Sequence, residues 1–95
     1  MRRSHLERAL SDVHARLVKS REELTVLDEQ LGLVTDAADE ARIRALVSET
    51  PLAAHESRDT QRHADAFAKA RTALAATIAE LEKKQDELLG QLGGP

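Results

Sequence analysis

The fold depends on residues 48–51, which read Ser-Glu-Thr-Pro near the middle of the 95-residue chain. Pro51 disfavours helical geometry at Thr50, and its own fixed φ suits the first turn of a new helix. Thr50 can then act as the N-cap, because its hydroxyl can accept an unpaired backbone N–H of that turn. The stretch therefore predicts a helix over 3–48, a turn at 48–51 and a second helix over 51–91.

Apolar side chains recur along both predicted helices at alternating intervals of four and three residues, the spacing of a coiled-coil seam. In the first helix, eleven of the thirteen seam positions from Leu6 to Ser48 are apolar. The second seam is weaker, since polar residues occupy four of its twelve positions from Ala53 to Leu92. The seam residues that carry the prediction are Leu10, Val13, Leu17, Leu24, Leu27, Leu31, Val34, Phe67, Leu74, Ile78, Leu81 and Leu88.

Two helices of similar length joined by a tight turn must run antiparallel, so the sequence predicts an all-α helical hairpin. Facing residues should then have numbers that sum to about 100, which is twice the position of the turn. This register places Leu24 near Ile78 and Val34 near Phe67.

One alternative concerns the middle of the first helix. Gly32 could end that helix, and Thr35 or Asp36 could cap a short helix that runs to residue 48. A glycine costs only about 1 kcal/mol in a helix interior, and a packed seam can offset that cost. We therefore predict a continuous first helix, a single hairpin domain over 1–92 and a disordered tail over 93–95.

Further large apolar residues lie off the seam and widen the apolar surface of the hairpin. A helix with a wide apolar surface contacts more than one neighbour. We therefore expect the hairpin to pair with a second copy as a dimeric four-helix bundle, to dock on another protein, or both. The candidate partner or dimer face consists of Val18, Val26, Leu33, Ile43, Leu46, Val47 and Leu52.

Charge is unevenly distributed along the first helix. Residues 1–21 are mainly basic, whereas residues 22–40 contain seven acids and no base. In an antiparallel hairpin the basic segment lies beside acids of residues 80–87, which favours this pairing. Arg71 falls on the seam, where its head can reach Asp28 at the edge, and it is also a candidate anion contact.

Composition and spacing argue against several functional classes. The absence of Cys excludes disulfides and thiolate metal sites and is typical of a cytoplasmic protein. No apolar run approaches the roughly 20 residues of a membrane span, and the N-terminus is not a secretory signal. Asp59 and His63 are spaced like two metal ligands, but no third ligand follows. No His has a convincing nucleophile beside it, so we expect no catalytic residues, metal, cofactor or small-molecule substrate.

The stretch ARIRALVSETPLA, residues 41–53, resembles small uncharacterised actinobacterial proteins with a predicted coiled coil. The resemblance implies a helical hairpin from a bacterium and no particular activity.

These observations together favour a non-enzymatic protein–protein interaction module, a small cytoplasmic regulator or adaptor that uses its apolar face or hairpin tip. Two alternatives stay open: a regulator that holds a nucleotide or other anion between hairpins, and nucleic-acid binding through the basic N-terminal segment. The net charge of −3 and the lack of interleaved aromatic residues argue against nucleic acid, and the lack of bulky anchors argues against a membrane surface.

Overall fold

The computed structural model describes residues 2–93, which form α1 (Arg2–Ser48) and α2 (Pro51–Gly93). The two helices pack against each other, which confirms the predicted all-α hairpin. α2 ends two residues later than predicted, so Gly93 belongs to the helix rather than to a disordered tail. Gly94 and Pro95, the remainder of that predicted tail, lie outside the described residues.

Local backbone chemistry fixes the turn between the helices. Glu49 adopts a left-handed conformation with a φ of 52°, and its N–H donates to the Ala45 carbonyl at 3.1 Å. This is the single-bond C-cap that usually employs glycine. Thr50 caps α2 as predicted, because its Oγ1 accepts the Ala53 N–H at 3.1 Å. The chain therefore reverses over two residues, each satisfying one helix end.

The possible break near Gly32 does not occur, because α1 is continuous through that residue. A Cβ built on Gly32 would meet nothing within 4 Å, so no close packing requires a glycine there. The helical hydrogen bonds of α1 and its seam side chains are sufficient to offset the conformational cost of one glycine.

Burial follows the predicted seam closely. Every predicted seam position from Leu6 to Ala45 and from Ala53 to Leu92 is buried or half-buried. Only Ser48, the last residue of α1, is exposed. Because the intervals of four and three keep side chains on one side of a helix, the sequence periodicity alone selects these positions.

Backbone contacts divide the chain into two compact units, each containing one segment of both helices. The terminal unit comprises residues 2–24 and 73–93, and the turn unit comprises residues 25–72. The prediction of one domain over 1–92 therefore stays a prediction.

Large aliphatic side chains form the core of the terminal unit. Leu17 is fully buried, and it clusters with four further buried residues, Val13, Ile78, Leu81 and Leu88. Leu24 packs against the same cluster as Ile78, in agreement with the predicted register. Arg21 Nη2 lies 3.8 Å from Glu82 Oε2, so the predicted charge pairing between the basic start of α1 and the acids of α2 is present.

Small side chains dominate the core of the turn unit. Its buried apolar residues are Ala38, Ala41 and Ala64, whereas Leu27, Leu31, Val34 and Phe67 are half-buried. An alanine removes far less apolar surface from water than a leucine does, so this seam contributes less to stability per residue.

Candidate interaction face

All seven residues of the predicted partner face are exposed in the structure. Val18 is the least exposed, at 41%, and Val47 is the most exposed, at 80%. Val18 belongs to the terminal unit, which also exposes Leu89, a residue that sequence reasoning did not assign to the face. The other six belong to the turn unit: Val26, Leu33, Ile43, Leu46, Val47 and Leu52.

Five of these six side chains lie on one side of α1. Val26, Leu33 and Val47 are separated by multiples of seven residues, and each directly precedes a seam position. With 3.6 residues per turn, such positions lie about a third of a turn from the middle of the seam. Ile43 and Leu46 share the last turns of α1 with Val47, at intervals of three and four residues. We name these five residues the outer face.

In the turn unit the fully buried seam positions hold small side chains, while several large side chains are exposed. Ala38, Ala41 and Ala64 are buried in the seam, while Leu33 and Leu46 are 71% and 72% exposed. Exchanging the two sets would bury much more apolar surface, at about 25 cal/mol per Å². The large side chains of the outer face therefore stabilise the hairpin little, although they occupy much of its surface.

Acids share the outer side of α1 with these apolar residues. Glu29, Asp36 and Glu40 are exposed and occupy outward-facing positions between Val26 and Val47. The sequence reveals the acidic segment, but its outward direction follows only when each acid is placed relative to the seam. Two exposed bases, Arg42 and Arg44, lie near the end of this part of α1, each next to a seam position.

The tip of the hairpin extends the exposed apolar surface beyond α1. Leu52, in the first turn of α2, is 71% exposed. Glu49, between the helices, is exposed as well and holds a backbone conformation that few residues other than glycine adopt. Residues 46–52 thus combine large apolar side chains with one acid at the tip.

Arg71, the candidate anion contact, is engaged within the hairpin. Its Nε donates to Asp28 Oδ1, and the two residues are 43 positions apart in the sequence. Both side chains remain partly exposed, so the guanidinium extends from the seam to its edge as predicted. The structure thus pairs the Nε of Arg71 with a carboxylate, and its role as an anion contact stays a prediction.

Asp59 and His63, the two residues with metal-ligand spacing, have separate neighbours. Arg62 donates to the Asp59 carboxylate, and this bond together with its charge lowers the pKa of Asp59. The His63 ring packs against Phe67 with a centroid separation of 5.1 Å. Within residues 2–93, no group of three or more His, Asp or Glu side chains is arranged to hold a metal ion.

The terminal unit contains an open depression of about 670 Å³ beside the basic start of α1. Arg2, Arg3 and Leu6 line it from α1, and Gln91 and Leu92 line it from α2. Arg3 donates to Glu7 at 3.2 Å on the exposed surface. The depression is open and partly lined by polar side chains, unlike the enclosed apolar walls typical of small-molecule sites.

Comparison with known proteins gives no family assignment. No family model, no curated protein and no solved structure matches the chain. The resemblance of residues 41–53 to actinobacterial coiled-coil proteins therefore stays a prediction. Neither described helix combines the length and the apolar character needed to cross a bilayer.

Proposed function

We propose that the chain is a non-enzymatic interaction protein, a small cytoplasmic regulator or adaptor that docks on another protein through the outer face of α1 and the adjoining tip. One observation carries the proposal: the turn unit exposes six large aliphatic side chains, while the fully buried positions of its seam hold alanines.

A large apolar side chain can stabilise either the hairpin itself or its complex with a partner. Burying a leucine or valine fully is worth about 1.5–3 kcal/mol, and a hairpin of this size has little net stability to lose. Leu33, Leu46 and Val47 are largely exposed, so most of their burial free energy is gained only when a second surface covers them. Association with a partner supplies such a surface, and the hairpin itself does not.

Clustering distinguishes this face from ordinary exposed aliphatic residues. Single exposed leucines and valines are common on folded proteins and indicate nothing by themselves. Ile43, Leu46 and Val47 are neighbours on two consecutive turns, and Leu33 and Val26 continue their side of the helix. Groups of exposed apolar side chains rimmed by polar residues typically mark interaction sites.

The proposal can be tested by site-specific photo-crosslinking of the full chain in the cells that express it. A benzophenone amino acid replaces Leu33 or Val47 in two variants and the exposed residue Lys69 of α2 in a control. We expect a discrete protein adduct at positions 33 and 47 and none at 69. Equal labelling at all three positions, or no adduct at any, would overturn the proposal.

A further inference from the structure

The outer face presents an alternation of apolar and acidic side chains. From Val26 to Val47, the outward positions of α1 hold the five apolar residues of the face together with acids. Three of these acids, Glu29, Asp36 and Glu40, are exposed. The face therefore combines an apolar surface with three exposed carboxylates.

Pairing within the chain explains other acids of the turn unit but not these three. Asp28 accepts from Arg71, and Asp39 lies 3.2 Å from Arg42. Glu29, Asp36 and Glu40 have no ion pair with any residue of the described range 2–93. Their charge is thus available to a partner, and an approaching base would be attracted along the whole face.

We propose that the outer face binds a basic amphipathic helix of a partner protein. The inference rests on the proposed function and specifies its partner. Apolar residues that recur every three, four or seven residues can interdigitate with the same pattern on a facing helix. Lys or Arg residues that flank the apolar stripe of the partner would lie opposite Glu29, Asp36 and Glu40.

A second copy of the chain fits this face less well than a basic helix does. Two-fold pairing brings the same patch of both subunits together. In a two-fold arrangement centred on the outer face, Asp36 and Glu40 of one copy would lie opposite the same acids of the other copy. Like charges that face each other across an interface disfavour association.

The test measures binding of synthetic peptides to the full chain by fluorescence anisotropy. The probe is a helical peptide of about three heptads with Leu on one side and Lys and Arg elsewhere. An acidic twin keeps the Leu positions and replaces the bases with Glu, and a scrambled basic peptide keeps the charge but disperses the Leu residues. We expect the basic amphipathic peptide to bind at least about tenfold more tightly than either control, and less tightly as salt rises.

Variants locate the binding to the face. Leu33→Asp and Val47→Asp should each weaken the basic peptide by about tenfold or more. Leu89→Asp, an equally drastic change at an exposed leucine of the terminal unit, should leave binding unchanged. The triple variant Glu29→Lys, Asp36→Lys, Glu40→Lys should reverse the preference towards the acidic twin. Circular dichroism checks that each variant retains its helix content.

Three outcomes would overturn the inference: equal binding of the acidic twin, equal binding of the scrambled peptide, or no binding of any peptide. A dimer in sedimentation that dissociates in Leu33→Asp would also overturn it, because a second copy would then occupy the face. Any of these results combined with crosslinks at positions 33 and 47 would reject the basic helix while the docking face itself remained.

Discussion

Arg71 of α2 and Asp28 of α1 form an ion pair between residues 43 positions apart, at a seam position that is otherwise expected to be apolar. The pair fixes which turn of one helix faces which turn of the other. A long side chain that leaves the seam to meet one particular carboxylate helps to define register, as buried polar residues do in other coiled coils.

We predict that Arg71→Leu raises the free energy of unfolding by about 1 kcal/mol. A leucine at this half-buried position gains apolar burial, whereas a partly exposed ion pair is worth only about 0.2–1 kcal/mol. Urea denaturation measures the change. Asp28→Asn serves as the control and should cost about 0.5 kcal/mol or less. A loss of more than about 1 kcal/mol in Arg71→Leu would show that the ion pair contributes more than its exposure implies.

Glu49→Gly should also stabilise the hairpin, by about 1 kcal/mol. Glu49 holds a φ of 52°, where a Cβ is unfavourable and glycine is not. Ser48→Gly is the matched control one residue earlier: Ser48 is helical, so glycine there should be destabilising. Thermal unfolding followed by circular dichroism compares the two. Destabilisation by Glu49→Gly would mean that the left-handed turn is not the conformation in solution.

Truncating a seam side chain should destabilise the hairpin far more than truncating a side chain of the outer face. Leu17 is fully buried, so Leu17→Ala should cost about 2–5 kcal/mol. Leu33 is 71% exposed, so Leu33→Ala should change the stability by no more than about 0.5 kcal/mol. Chemical denaturation of both variants checks the pair. Similar losses in the two would contradict the assignment of Leu33 to an outer face.

The Asp59 carboxyl should titrate below its usual pH range because Arg62 donates to it and stabilises its charged form. The folded pKa is the lower one, so any resulting stabilisation is present above the unfolded pKa and is lost as the pH falls through the folded pKa. Arg62→Gln should raise the pKa of Asp59 towards 3.8. NMR titration of the side-chain carboxyl measures this shift. An unchanged midpoint in the variant would rule out Arg62 as the cause.

The sequence predicted the hairpin because two of its signals are local and strong. The four-and-three spacing identified the seam residues, and Thr50-Pro51 identified the start of α2. The ion pair of Arg71 with Asp28 followed from the register of the hairpin. The exposure of the candidate partner face was also predictable, since a residue such as Leu33 cannot reach a seam on the opposite side of its helix.

Three other features could not be predicted from residue type alone. The end of α2 at Gly93 reflects the small energies at a helix terminus, where assignments vary by one or two residues. The left-handed Glu49 was missed because glycine normally signals that conformation. The pairing of Asp59 with Arg62 was not predicted, because it depends on side-chain directions along one helix.

The most direct test of the docking face is an amide NMR titration of the isotope-labelled full chain with the basic amphipathic peptide. The account predicts that chemical-shift changes concentrate at Val26, Leu33, Ile43 and Val47, and that they are lost in the Leu33→Asp variant. Changes centred on the exposed side of α2 around Lys69, or no saturable changes anywhere, would contradict it.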